Sequence, residues 1–428
     1  MNLFQSLTSL INVLRGKHHQ YKKVDEFTSA LSELLGHKYI TSMPHARIAL
    51  YYSLRCYNFS KGDEVLMTAI NLPDMVNVIR SLGLKEIFVD IDFYNYSLDL
   101  EDVEKKMTKD SKFLFVTHLN GIVPEMEKIT SFAKDHNLIL IQDCTQNVGA
   151  EYAGKKIEEF SELSIISLCD LKVIHTHMGG IVVSQSRSMI DEITNMAKRE
   201  LRPLKTNYIF KFIIEDLIAS FLLNRIFFTC FAHPVLSLFK KIIGDQAIQD
   251  LTRGGGLKLG RVIIFKGLFG GGSNIIYNKI PDNLLYKYSD LQASIGLTRI
   301  SGFTSIEEKR ITNAIYFNSL ICNIPERNKA SFNKESKHVF WKFPIKIMER
   351  EDEFVRMMYS KGIDVAKSNL PCLSSMEGFD DSSTPHAEEL IKSTFYIPLH
   401  YYLDKDEIFL IAKNLCLYFG VKINDQLL

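Results

Sequence analysis

Between residues 24 and about 200, short unbroken apolar runs alternate with segments whose apolar positions recur every three or four residues. The helical period predicts helices over 24–35, 46–57, 75–82, 100–107 and 125–136. The apolar runs predict strands over 64–67, 87–91, 113–117 and 138–142. Continuously apolar strands separated by helices imply a sheet covered on both faces, mainly parallel, with right-handed crossovers. Ligands of such sheets bind beyond the carboxyl ends of the strands. The rhythm breaks over 200–280. A different pattern then predicts helices over 286–300, 305–321, 351–361 and 404–419, with strands over 338–347 and 395–399. The fold class is therefore α/β. A large domain over 1–280 carries an apolar insertion near 200–275, and a smaller α+β domain covers 281–428.

Composition changes this picture little. The chain has 428 residues, 46% hydrophobic and 24% charged, enough for two substantial cores. A formal net charge of +1 provides no basic field for nucleic acid. The seven cysteines include no CxxC pair, which fits reduced thiols and a cytoplasmic setting. The first residues lack a charged start and a small-residue cleavage site, so they do not read as a signal peptide. Leu3, Phe4, Leu7, Leu10, Ile11 and Leu14 instead fall at helical spacing ahead of a basic cluster. They predict a helix packed on the body or lying against a membrane or partner. Residues 208–243 are densely apolar, but the longest stretch without Asp, Glu, Lys or Arg is fourteen residues, at 226–239. A spanning helix needs about twenty. Core helices, a dimer surface and a peripheral membrane contact all remain open for this segment. The glycine runs 254–256 and 270–272 match neither a P-loop nor a dinucleotide fingerprint, and predict a loop near an active site.

Four residues at or beyond strand ends carry the candidate chemistry. Asp143 and Gln146 close the run ending at 142, Ser167 closes another, and Lys172 follows five residues later, before Gly179-Gly180. An acid, an amide, a hydroxyl and a lysine so placed suit pyridoxal 5'-phosphate (PLP). The lysine bonds covalently to the aldehyde, and the acid keeps the pyridine nitrogen protonated. A lone lysine near a strand end is ordinarily solvated; the joint spacing raises this one above that reading. His175 and His177 lack a third ligand at useful spacing, so no metal site is expected. Cys144 and Cys169 read as small core residues rather than reactive thiols.

Several blocks carry a family resemblance: GDEVLMTAINLPDMVNVIRSLG (62–83), FVDID (88–92), THLNG (117–121), QDCTQNVGAEYAGKK (142–156), SLCDLKVIHTHMGGIVVS (167–184), YSDLQASIGL (288–297) and FYIPLHYYLDKDEI (395–408). In order and spacing, from about residue 27 to 420, the chain resembles the DegT/DnrJ/StrS family of PLP-dependent sugar aminotransferases, which have the aspartate aminotransferase type I fold. The resemblance implies roles residue by residue. Lys172 falls on the cofactor lysine and proton carrier, Asp143 on the acid of the pyridinium, Gln146 on the amide at the cofactor's 3-oxygen, and Ser167 on a phosphate hydroxyl. The family's Ser-Gly-Thr at a phosphate-binding helix start is His45-Ala46-Arg47 here; Ala46 can offer a backbone N–H, and Arg47 a charged donor. The usual stacking aromatic is Leu72, the usual Gly-Glu before Gly179 is His177-Met178, and the usual cross-subunit Asn and Arg are Leu285 and Lys287. Sister dehydratases replace the lysine with histidine; neither His175 nor His177 is in frame for that.

The resemblance implies a homodimeric transaminase moving an amino group from an amino-acid donor, glutamate by family usage, to a nucleotide-linked keto-sugar in glycan or secondary-metabolite biosynthesis. Two alternatives stay open: a non-catalytic relative acting as scaffold or regulator, and a membrane-associated variant taking a lipid-linked substrate.

Overall fold

The computed structural model describes residues 22–169, 172–204, 279–368, 370–379 and 382–424, with isolated stretches at 230–231, 234, 257–259 and 262–264. The expected N-terminal helix, nearly all of the apolar segment 208–243 and both glycine runs lie outside the described residues. Among the described residues no helix is long and apolar enough to cross a membrane.

Helix α1 (Lys22–Leu35) leads into β1 (Tyr39–Met43) and α2 (Ala46–Leu54). Then follow β2 (Glu64–Thr68), α3 (Pro73–Ser81), β3 (Lys85–Val89), α4 (Leu100–Lys106), β4 (Ser111–Thr117), α5 (Met126–Asp135) and β5 (Ile139–Asp143). Two short strands, β6 (Glu151–Tyr152) and β7 (Lys155–Lys156), precede β8 (Leu163–Ser167), β9 (Gly180–Ser184) and α6 (Arg187–Glu200). Seven of these strands form one sheet in the order β1-β9-β8-β5-β4-β2-β3. The pairs β3–β2, β2–β4, β4–β5 and β5–β8 are parallel, whereas β9 runs antiparallel to both β8 and β1. Asp143, Ser167, Thr117 and the exit of β1 therefore share one edge of the sheet with the start of β9.

Side chains alternate between two cores, as the pleat requires. Val65, Met67, Phe113, Phe115, Ile141, Leu163, Ile165 and Val182 face α2, α3 and α6. Leu66, Leu114, Val116, Leu140, Ile166, Ile181 and Val183 face α1 and α5. Cover on both faces explains why β2, β8 and β9 are buried at every position, the polar Thr68 and Ser164 included. Helix α7 (Asp290–Ile300) joins the second layer. Its block SDLQASIG has a local physical reason at each end. Asp290 Oδ1 accepts the N–H groups of Lys23 and Val24 at 2.8 and 3.2 Å, which caps α1. A Cβ on Gly296 would lie 2.3 Å from Phe27 Cε2. Helix α7 begins at Asp290 rather than at 286 because the Ser289–Gln292 capping box fixes its start.

Helix α8 (Phe303–Leu320) starts in the second core at Phe303 and enters a third through Ala314 and Phe317. That third core packs around a sheet of β13 (Phe343–Lys346), β15 (Thr394–Ile397) and β14 (Ala366–Lys367), with α9 (Glu351–Ser360) and α11 (Lys405–Tyr418). Helix α10 (Pro385–Ser393) leans on the first core through Ala387 and Leu390. The short strand β12 (Ser336–Lys337) pairs with β6, and β10 (Leu257–Leu259) with β11 (Val262–Ile264).

The expected strand over 338–347 shortens to 343–346. Residues 339–342 spend their N–H groups elsewhere: Val339 and Phe340 donate to Gly121 O at 2.9 and 3.2 Å, and Lys342 donates to Asn120 O at 3.2 Å. Phe340 sits at φ 46°, which ends the extended run. Gly121 has φ 79°, and a Cβ there would fall 2.3 Å from Trp341 N. No side chain fits between these two backbones. Gly121→Ala should therefore destabilise the fold by about 3 kcal/mol, measured as a lower urea midpoint at unchanged slope, whereas Gly62→Ala, where a Cβ meets nothing within 4 Å despite φ 97°, should cost less.

Candidate active site

Asp143 ends β5 and is 3% exposed. Burial pushes its carboxyl above the usual range, against the Thr145 N–H on Oδ1 at 2.9 Å and the positive field of Lys172. The carboxylate form thus depends on nearby donors and a cation. The preceding residue is held as firmly. Gln142 Oε1 lies 2.8 Å from His118 Nε2, and its Nε2 donates to Ile157 O and Ser161 Oγ at 3.0 and 2.9 Å. The His118 N–H donates to Asp143 O at 3.1 Å. Gln146 Oε1 accepts the Asn120 N–H at 2.7 Å, so the amide NH2 is the end turned away from that bond. Ser167 ends β8; its Oγ accepts the Cys169 N–H at 3.3 Å, which leaves the hydroxyl proton to donate.

Lys172 lies on the connection from β8 to β9. That loop is tied by Leu168 N–H to Gly179 O at 2.9 Å and Thr176 N–H to Leu168 O at 2.8 Å. Gly179 and Gly180 are dictated by close approach. A Cβ on Gly179 would meet Thr176 Oγ1 at 2.6 Å, and one on Gly180 would meet His45 C at 2.5 Å and Ala46 N at 2.6 Å. Gly180 pairs with Ser167 on one side and Met43 on the other. The N-terminus of α2 is thereby held against the start of β9. Its N-cap, His45, is extended and makes no side-chain cap. The His45 ring instead meets Tyr286 OH at 2.9 Å, and burial holds its pKa down to about 3, so the imidazole is neutral.

Gln146, Ser167 and Lys172 line one cleft of about 420 Å³, together with Glu307, Arg310 and Trp341. Asp143 does not line it, but its charge acts on Lys172. Burial lowers the Lys172 amine below the usual lysine range, opposed by Cys169 and then Asp143 and reinforced by Arg310. The Lys172 Nζ sits 4.0 Å from the centroid of the Trp341 ring. Ala46 and Arg47 stand outside this cleft, beyond Gly180, and Arg47 Nη1 pairs with the buried Asp74 at 2.9 Å. Leu72 precedes α3, half exposed and away from the cleft lining. His175 and His177 have ring centroids 6.0 Å apart.

The residues 5–214 and 280–415 match the DegT/DnrJ/EryC1/StrS aminotransferase family. The chain belongs to that family. Its members depend on PLP. The chain is 32% identical over 168 residues to GDP-perosamine synthase of Escherichia coli O157:H7, covering 39% of this chain and 46% of that protein. It is 34% identical over 175 residues to UDP-4-amino-4,6-dideoxy-N-acetyl-beta-L-altrosamine transaminase of Campylobacter jejuni, covering 40% and 46%. The chain thus spans about half the length of the curated relatives it matches. The aminotransferase from Psychrobacter cryohalolentis superposes with a TM-score of 0.71 at 17% identity, over 98% of this chain and 97% of that one. PseC of Helicobacter pylori gives 0.66 at 18% identity, over 97% and 96%. These solved aminotransferases share the fold: a mainly parallel sheet between helices.

The family blocks pass over residues that shape this cleft. Trp341 is the only tryptophan of the chain, and Lys342, just outside the cleft lining, follows it. Reading 338–347 as a regular strand assigned the pair to a pleat, whereas the backbone turns there. Arg310 and Glu307 form an ion pair on α8, with Arg310 Nε donating to Val339 O at 2.9 Å. Burial raises the Glu307 carboxyl to about 7. Their i, i+3 spacing on a helix looks like an ordinary surface pair.

His118 gives a pH test. Burial lowers its pKa from 6.5 to about 4. As pH falls from 6.5 toward 4, the unfolded chain takes up a proton that the native ring refuses, so stability is lost over that window. The contribution approaches about 3 kcal/mol. Urea unfolding at pH 6.5, 5.5 and 4.5 should show a shallower pH slope for His118→Asn than for wild type; parallel slopes would contradict the buried neutral ring.

Proposed function

We propose that this protein binds PLP through Lys172 and works as an aminotransferase, passing an amino group from an amino acid to a nucleotide-linked keto-sugar. The observation that carries the reading is geometric: Gln146, Ser167 and Lys172 line one cleft, and the buried Asp143 that ends β5 acts on Lys172 by its charge. PLP, when bound, supplies the carbonyl carbon that accepts the amino group and the ring that spreads the electrons of the breaking bond.

The chain's own groups suit that cofactor. A lysine with a lowered pKa has more of its amine free to attack a carbonyl and to carry a proton at Nζ near neutrality. The Asp143 carboxylate needs a cationic partner to offset its burial, and a protonated pyridine nitrogen is one. The Gln146 NH2 and the Ser167 hydroxyl are donors for oxygen anions. The first N–H groups of α2, at Ala46 and Arg47, lack partners within their helix and add donors suited to phosphate. Gly180 keeps those N–H groups near β9, because no Cβ fits between them. The Trp341 ring lies over the Lys172 amine, with Nζ 4.0 Å from the ring centroid.

The nucleotide-sugar part of the reading is supported by the names of the two curated relatives. Glutamate as donor and a homodimer follow from family usage.

Incubation with PLP, borohydride reduction and peptide mass spectrometry test the lysine. The expected result is one reduced cofactor on Lys172 and none in Lys172→Ala. A cofactor on another lysine, or none in wild type, would remove the assignment. Asp143→Asn should still become labelled yet react with L-glutamate at least ~100-fold more slowly in single-turnover measurements of the bound cofactor's absorbance. An unchanged rate would remove Asp143 from its role.

A further inference from the structure

A second lysine shares the Trp341 ring. Lys342 Nζ lies 4.8 Å from the ring centroid, and Lys172 Nζ lies 4.0 Å from it, so the two amines are no more than 8.8 Å apart. Lys342 Nζ also lies 4.2 Å from the Tyr396 ring centroid. Tyr396 is fixed in turn, with its hydroxyl 3.0 Å from Ser368 Oγ. The Lys342 backbone donates to Asn120 O, and the Asn120 N–H holds Gln146. The Lys342 backbone is thus tied through Asn120 to Gln146 of the candidate site.

What Lys342 lacks is an anion. Among the described residues no carboxylate pairs with its Nζ, and no oxygen accepts a hydrogen bond from it. A neighbouring lysine provides the contrast. Lys346, four residues on, also lies among aromatic rings but donates to Phe93 O at 2.9 Å and is fully buried, so its partner is built in. Lys342 is only partly buried. Withdrawal from water and the nearby charge of Lys172 lower its pKa to about 8. Aromatic faces offset part of the cost of drawing a cation out of water, but they do not replace an oxygen partner.

We propose that Lys342 receives an anionic oxygen group of the substrate, carboxylate or phosphate, as that substrate enters beside Lys172. The inference rests on the aminotransferase reading. A carboxylate would come from the amino donor or its keto product, and a phosphate from a nucleotide.

Trp341 reports on the site directly, because no other tryptophan contributes to the fluorescence. The test titrates PLP-loaded wild type, Lys342→Met and Lys342→Arg with L-glutamate, 2-oxoglutarate, UDP and GDP, reading Trp341 emission. Lys342→Met should weaken one class of probe about tenfold or more and leave the other class within twofold. Lys342→Arg should stay within about threefold of wild type. Weakening of the two carboxylates assigns the anion to the donor, and weakening of the two diphosphates assigns it to the nucleotide. If Lys342→Met does not fold, Lys342→Gln takes its place. The proposal is overturned if no class weakens, if wild type binds none of the four, or if the substitution instead abolishes PLP incorporation at Lys172. Failure of wild type itself to incorporate PLP would overturn the aminotransferase reading, and so is a separable result.

Discussion

Charge held out of water at one edge of the sheet is the constraint on which the rest depends. A carboxylate as buried as Asp143 is costly alone, and so is the amine of Lys172. The Thr145 N–H and the field of Lys172 offset part of that cost for Asp143, and the field of Asp143 offsets part of it for Lys172. That arrangement requires the parallel strands to end together and β9 to return antiparallel beside them. It also needs the connection between β8 and β9 to be tight enough to hold a lysine over the strand ends. The bare glycines at 179 and 180 permit this, because each faces atoms closer than a Cβ allows.

The carboxy-terminal part closes the site by backbone contact. The loop at Asn120-Gly121 takes three N–H groups from 339–342, and those bonds replace the ladder that a longer β13 would have made. The trade turns Trp341 onto Lys172 and sets Lys342 beside it. One loop therefore orients Gln146 through the Asn120 N–H and the aromatic wall through the two carbonyl groups of residues 120 and 121. A disturbance at Gly121 would reach both.

Much of this was legible in the sequence where the physics is local. Buried strands read as unbroken apolar runs because both faces are covered, and Asp143, Ser167 and Lys172 fall at or just after strand ends, as their spacing predicted. Helix starts were less legible. Helix α7 begins at a capping box rather than where its apolar period begins. The segment 338–347 was misread for a different reason: its alternation is that of a strand, yet its N–H groups are claimed by a loop more than two hundred residues earlier. Long-range claims of that kind leave no periodic trace. Arg310, Glu307 and Lys342 stayed hidden because charged residues on a helix or near a strand are ordinarily solvated. The places of Ala46 and Arg47 were expected in the phosphate cup; the helix start does lie against β9, but the Arg47 side chain is paired with Asp74.

The account stands on the Asp143–Lys172 pair as the two ends of one cofactor site. A crystal structure of the protein with PLP tests it most directly. The account predicts continuous density from Lys172 Nζ to the cofactor and the Asp143 carboxylate against the ring nitrogen. Cofactor density detached from Lys172, or a ring nitrogen facing some group other than Asp143, would contradict it.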